Sequence, residues 1–377
     1  MLTADLDYHL PPELIAQQPA EPRDHSRLMH LQRATGALQH LRFDALPDLL
    51  RVGDLLVFND TRVLRARLHG HKEIGGGHVE ALLLREVKTN FWEALLKPSA
   101  RLRPGATVIF SSPTADVTAP AQLIERTAIG WLLRFFSEGT KRNIRELLPQ
   151  LGEVPLPPYI KQPPREEAQY QTVYARMQAG NTTGVALDSA AAPTAGLHFT
   201  PRILEALHAR GIRTAFVTLG VGVGTFRPVQ TDTLEEHSMH AEEFEVPAAT
   251  AAAIQTQRER GGRVVAVGTT TTRVLESVAT ADGGVPAGFG STRIFIRPGY
   301  QFRCVDALLT NFHLPRSTLL AMIAAFAENR PHLPINQESL SATEDQLTGL
   351  EKIRYAYSRA IQEQYRFFSF GDAMFIE

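Results

Sequence analysis

The stretch Arg263-Val264-Val265-Ala266-Val267-Gly268-Thr269-Thr270-Thr271-Thr272-Arg273 decides the fold. A short apolar run of β-branched type reads as a buried strand. Gly268 breaks it, and Thr270–Val278 reads as a helix starting at once. Strand, tight turn and helix in immediate succession are the unit of an α/β protein. Hydroxyls and free N–H groups at such a helix start, with Arg273 one turn in, suit a carboxylate or phosphate. The plainer alternative is an ordinary cap, with Arg273 pairing to Glu276 three residues on.

Outward from this stretch the alternation continues. Thr200-Pro201 is an N-cap followed by proline at the first helical position, opening a helix over Arg202–Arg210 that Gly211 stops. Ile212–Leu219 reads as a strand, followed by the turn Gly220-Val221-Gly222-Val223-Gly224. Pro247 opens another helix, closed by Gly261-Gly262. Strands are expected near Arg293–Ile296 and Ala307–Thr310, and a helix over Ser317–Phe326. The class is α/β, a three-layer main domain.

Leu68 to Phe136 is different. Val79–Leu84, Phe91–Leu96, Thr107–Phe110 and Trp131–Phe136 are short β-type runs, punctuated by Gly75-Gly76-Gly77, Pro104-Gly105 and Ser111-Ser112-Pro113. They predict a small β-barrel, followed by a helix over Lys141–Leu151 and a stiff connector, Pro155 to Tyr159. The expected organisation is a discontinuous α/β catalytic domain, 1–67 and 152–377, with an inserted barrel at 68–151. Ala179–Ala192 and Asn329–Gly349 read as surface excursions.

Composition narrows the function. Among 377 residues, 39 Lys and Arg balance 40 Asp and Glu, so RNA contact would need a local basic patch rather than a basic protein. The densest cluster is Arg62, Arg65 and Arg67, with His69, His71 and Lys72, and Arg101 and Arg103 as neighbours. Cys304 is the single cysteine, which excludes an intrachain disulfide and a thiolate-rich metal site. No signal peptide opens the chain, and the longest apolar run, Leu319 to Ala327, is too short for a membrane helix. The chain reads as soluble and cytoplasmic.

Five further motifs carry groups able to do chemistry. Ala192 to Thr200 places His198, a general acid or base by type, just before a helix start; a packed histidine is the alternative. Leu219 to Val229 brings Gly222, Gly224 and Thr225, where glycines let a backbone approach a ligand. His237 and His240, three apart, share a face if helical; with Glu242 they suit a polar cluster for substrate or acid–base steps better than a metal site, for which a third convincing ligand is not evident. Thr310 to Pro315 sets His313 at a strand end, where ligands of α/β sheets collect. Tyr365 to Ala373 holds aromatics, Arg366 and Asp372.

Taken together and in order, the blocks Asn59 to Val63, Pro155 to Ile160, Tyr170 to Tyr174, Ala192 to Phe199, Val221 to Val229, His237 to Glu242, Val267 to Thr270 with Arg273 to Ser277, Thr310 to Thr318 and Tyr365 to Ile376 resemble the S-adenosylmethionine:tRNA ribosyltransferase-isomerase family of queuosine biosynthesis. The resemblance runs from Leu6 to Ile376. Met177–Ala191 and Asn329–Gly349 are longer than the family pattern, and Thr271-Thr272 replaces its hydroxyl-plus-apolar pair.

The resemblance implies an α/β domain with an inserted barrel. It implies S-adenosylmethionine as cosubstrate, no prosthetic group and no metal. The partner would be tRNA with a GUN-type anticodon bearing 7-aminomethyl-7-deazaguanine at the wobble position, read in the anticodon stem-loop. The products would be epoxyqueuosine-tRNA, adenine and methionine; no membrane is involved, and a monomer is favoured. On this reading His198 is the base, with His240 and Glu242 as proton carriers or ribose ligands. Gly222, Gly224, Thr225, Thr269, Thr270, Arg273, His313 and Asp372 hold the cosubstrate, and Arg62, Arg65 and Arg67 meet the tRNA. A methyltransferase or dehydrogenase, and a non-catalytic RNA-binding protein, are the competing classes.

Overall fold

A computed structural model describes residues 1–136, 143–176, 188–222, 229–328 and 347–377. Its centre is β3, Leu55–Asn59, five buried residues whose side chains alternate between two cores. Leu55 and Val57 enter the larger core, and Leu56 and Phe58 the smaller. The strands β1 (Arg27–Leu31), β2 (Leu38–Arg42), β10 (Arg213–Leu219), β11 (Glu242–Val246), β12 (Val264–Val267), β13 (Gly288–Thr292), β14 (Ala307–Asn311) and β15 (Ala373–Ile376) join it. The nine lie in the order β13-β11-β10-β3-β12-β14-β15-β1-β2. The centre is parallel from β10 to β14, and both flanks carry antiparallel pairs. Unbroken buried runs such as β12 and β14 are what a sheet covered on both faces requires.

Helices cover the two faces, making three layers. One face receives α4 (Ala248–Glu259), α5 (Thr269–Val278), α6 (Thr318–Glu328) and α7 (Gly349–Gln362); the other receives α1 (Leu46–Leu49) and α3 (Pro201–Ala209). Local chemistry sets their starts. Thr200 Oγ accepts from the Ile203 amide at the head of α3. Thr348 and Glu351 form a reciprocal capping box on α7.

Between β3 and β10 the chain builds a closed barrel of six strands, β4 (Arg67–Lys72), β5 (His78–Lys88), β6 (Phe91–Lys97), β9 (Trp131–Phe135), β8 (Thr118–Arg126) and β7 (Thr107–Ser111), in that order around the wall. Strict alternation on β6, β7 and β8 turns Trp92, Ala94, Val108, Phe110, Ala121 and Leu123 inward. α2 (Ile144–Leu151), capped by the Asn143 side chain, adds Ile144, Leu148 and Leu151 to this core. The chain enters and leaves the barrel side by side, because Arg67 and Glu153 exchange both backbone hydrogen bonds, at 2.9 and 3.1 Å.

Two local expectations change. The strand expected near Arg293–Ile296 lies instead at Gly288–Thr292, pairing antiparallel with β11. Ile296 is used to fill the main core, not to extend a ladder. His237 to Glu242 is not helical: a one-turn helix ends at Glu236, and Glu242 already starts β11. Lys141 at the head of the expected helix, most of Met177–Ala191, Gly224, Thr225 and most of Asn329–Gly349 lie outside the described residues.

Candidate active site

β12 and β14 run parallel and end at one place, which is where α/β sheets collect ligands. A cleft opens there. Its walls come from the start of α5 (Thr269, Thr270), the end of β14 and its following loop (Thr310, Asn311, His313), and the turn Ala192 to Ala195. Tyr159, Phe368 and Ser369 complete it.

The turn into α5 depends on Gly268, whose φ of 90° is in the region that favours glycine. Behind it Thr271 and Thr272 fold their hydroxyls back onto the Val267 and Gly268 carbonyls, at 2.8 and 3.1 Å. Thr269 and Thr270 therefore face the cleft at a helix N-terminus, which favours negative charge. Asn59 donates to Thr270 Oγ at 3.4 Å, fixing this corner to β3.

Asn311 lies at the end of β14. Its Oδ1 accepts from the Thr194 hydroxyl at 2.9 Å, and its Nδ2 donates to the Phe368 carbonyl at 3.3 Å. The same Nδ2 faces His198 Nε2 at 3.2 Å, so that nitrogen is the acceptor. His198 Nδ1–H then donates to Ser26 Oγ, 2.8 Å away. His198 is stacked on Phe43 and buried behind the wall, with both ring nitrogens engaged. Burial pushes its pKa down to about 3, helped by the charges of Arg366 and Arg23. It supports the cleft and does not line it.

His313 does line it. Thr310 Oγ meets its Nε2 at 2.8 Å, while Nδ1 has no partner among the described residues. Its backbone is clamped, N–H to the Tyr357 hydroxyl at 2.8 Å and C=O accepting from Tyr8. Burial lowers its pKa to about 3, which keeps the imidazole neutral.

Arg273 and Glu242 find each other across the sheet, and both are buried. Glu242 also accepts from the Gly222 amide at 3.3 Å, tying down the start of the glycine-rich turn. Arg273 does not pair with Glu276. Glu276 instead collects the amides of Arg303, Cys304 and Val305, at 2.9 to 3.0 Å. One guanidinium nitrogen of Arg273, Nη2, is buried without a partner among the described residues.

Other expected site residues lie elsewhere. His240 is exposed and outside the cleft wall. Asp372 is a structural clasp, accepting from the Arg27 and Arg366 amides at 3.0 and 2.8 Å. Arg65 pairs with Glu167 at 2.6 Å and Arg67 with Glu80 at 3.4 Å, whereas Arg62 is exposed and has no ion pair to a described residue. No group of three His, Cys, Asp or Glu among the described residues is arranged to hold a metal ion.

The sequence singles out no role for Asn311, Tyr159 or Ser369, and offers the aromatic run around Arg366, Phe368 included, either base stacking or a place in a core strand. Tyr159 hydrogen-bonds Ser369 at 2.7 Å, and its ring lies 4.8 Å from that of Phe368. Phe368 has a φ of 70°, an outlier for a bulky residue that is tolerated only where the surroundings enforce it. Asn311 was legible as a polar residue at a strand end, but its partners were not.

The fold and this cleft define an α/β enzyme carrying an inserted β-barrel. The family described as "Queuosine biosynthesis protein" matches residues 3–376. The S-adenosylmethionine:tRNA ribosyltransferase-isomerase of Moorella thermoacetica is 48% identical over 377 residues, covering 100% of both chains. The 2.00 Å crystal structure of S-adenosylmethionine tRNA ribosyltransferase from Thermotoga maritima superposes with a TM-score of 0.52 at 33% identity, covering 99% of this chain and 100% of that one. The chain belongs to the queuosine-biosynthesis family of transferase-isomerases.

Proposed function

We propose that this chain transfers the ribosyl group of S-adenosylmethionine to 7-aminomethyl-7-deazaguanine at the tRNA wobble position and isomerises it. The products are epoxyqueuosine-tRNA, adenine and methionine. The observation that carries the reading is a single cleft that joins an anion-facing helix start, Thr269 and Thr270, to an aromatic pair, Tyr159 and Phe368. A methionine carboxylate suits the first and a purine the second. The full-length likeness to a ribosyltransferase-isomerase supports the same choice.

The chemistry starts at the sulfonium, which acidifies the neighbouring C5′–H bond. Loss of that proton opens the ribose and releases adenine, and the deazaguanine amine then adds. The regenerated ylide closes on the aldehyde, and the alkoxide expels methionine as the epoxide forms. The protein must supply a base, an acid that protonates the departing adenine, donors for a developing oxyanion and shelter from water.

His313, a neutral imidazole on the cleft wall, takes the base role in this reading. His198, its nitrogens already engaged, is a positioning residue acting through Asn311. Arg273 and Glu242 hold the Gly222 turn, and Arg62 faces the RNA. Residues 68–151 form a separate unit beside the catalytic domain, and the enzyme works in the cytoplasm on GUN-type anticodons.

Adenine release from S-adenosylmethionine, with and without the modified tRNA, tests the reaction. His313→Ala should slow it at least ~100-fold, the usual contribution of a general base. His198→Gln, which keeps a hydrogen-bonding amide, should cost less than about ten-fold. Accumulation of S-adenosylhomocysteine in place of adenine would make the chain a methyltransferase instead. A greater loss in the His198 variant would exchange the two roles.

A further inference from the structure

Four non-glycine residues among those described have a positive φ: Asn90, Arg316, Gln364 and Phe368. Asn90 sits between β5 and β6, and Gln364 follows α7. The other two belong to the cleft. Phe368 lines it, and Arg316 stands between cleft-lining Leu314 and Ser317.

The φ of Arg316 is 54°, a conformation that glycine adopts without strain and arginine does not. Its backbone is held from both sides: the amide donates to the Leu6 carbonyl at 3.0 Å, and the carbonyl accepts from the Val229 amide at 2.9 Å. The side chain is exposed and has no hydrogen bond or ion pair to a described residue. Arg65 and Arg67, in the cluster that sequence marks as most basic, are both matched by carboxylates. The backbone thus fixes where a guanidinium unpaired among the described residues begins, on the rim of the cleft and not in its wall.

We propose that Arg316 is a phosphate contact for the RNA backbone next to the base that enters the cleft. This rests on the function proposed above. An unpaired guanidinium also suits a small-molecule carboxylate. Its place outside the wall favours the polyanion, and arginine presents the planar donor fork that phosphate accepts.

Arg316→Gly is the informative variant, because it relieves the strain while removing the charge. Its melting temperature should match or exceed the parent's. Binding of the tRNA without S-adenosylmethionine should weaken about five- to ten-fold at moderate salt, and the slope of log affinity against log salt should shrink by roughly 1. The KM for tRNA should rise with it, while kcat and the KM for S-adenosylmethionine stay unchanged. Arg316→Lys should recover most of the affinity.

Unchanged tRNA affinity and salt slope would overturn the proposal. So would a raised KM for S-adenosylmethionine with tRNA affinity intact, which would make Arg316 a small-ligand contact. A lowered melting temperature with parallel loss of every activity would make it structural. If the parent enzyme releases no adenine, the proposed reaction fails, while the binding measurement still decides the role of Arg316.

Discussion

The barrel and the nine-stranded sheet exclude water in opposite ways. Between residues 62 and 171, no described Ser, Thr, Asn, Gln, His, Asp, Glu, Lys or Arg side chain is buried. The sheet, by contrast, buries Asn59, Asp60, Thr218, Glu242, Thr269 to Arg273, Thr310, Asn311 and His313. Burying a polar group is unfavourable unless it is hydrogen-bonded, so such groups concentrate where they have work to do. Inside its hydrogen-bonded wall the barrel is filled by apolar side chains. The sheet buries polar groups around a cleft as well as its apolar cores.

The largest expected effect falls on the buried ion pair. Glu242→Ala leaves Arg273 charged and unmatched in the interior, which should cost about 3–5 kcal/mol in denaturant unfolding. The double variant Glu242→Leu/Arg273→Met should regain most of that stability without regaining adenine release. A single-variant loss below ~1 kcal/mol would mean the pair is solvated, and the contrast between the regions would weaken.

In the barrel the corresponding change is a truncation. Leu123→Ala, at a fully buried position, should cost about 2–5 kcal/mol through the cavity it leaves. Hydrogen exchange should quicken across β4 to β9 and leave Val264–Arg273 protected. Equal loosening of both regions would show that they unfold as one unit.

Acid sharpens the difference. His198 and His313 have folded pKa values near 3, below the unfolded value of 6.5. The unfolded chain takes up their protons first, so their contribution is complete above about pH 6.5 and is lost as the pH falls toward 3. Each contributes at most about 1.4 kcal/mol per pH unit in that window. Unfolding midpoints between pH 7.5 and 4 should fall less in His198→Gln than in the parent, and identical slopes would remove His198 from the account.

The smallest effect is expected at the surface. Arg65 and Glu167 are both well exposed, so Arg65→Ala should change stability by no more than ~1 kcal/mol. A larger loss would show that the link between the barrel and the Glu167 segment matters more than its exposure suggests.

What could be read in advance followed chain distance. The strand and helix around Gly268, the cap at Thr200 and the barrel runs at Phe91 and Thr107 each depend on residues within a few positions of one another. β4 and β8 were not foreseen, because Gly70 and Pro120 interrupt their patterns. His198 and His313 were named as site residues, but which of them reaches the cleft was not legible. The pairing of Arg273 with Glu276 was the sensible local guess, and a partner 31 residues away displaced it.

By itself the sequence determined the α/β alternation, four of the barrel's six strands and the blocks that supply the cleft, because periodicity and capping act over single turns and strands. Only the tertiary structure decided that His198 meets Ser26 across 172 residues and Asn311 across 113, and that Arg316 stands on the rim with no carboxylate partner among the described residues. Those outcomes depend on which strand ends the sheet brings together, and on the free energy of matching buried polar groups in three dimensions, which no local pattern encodes.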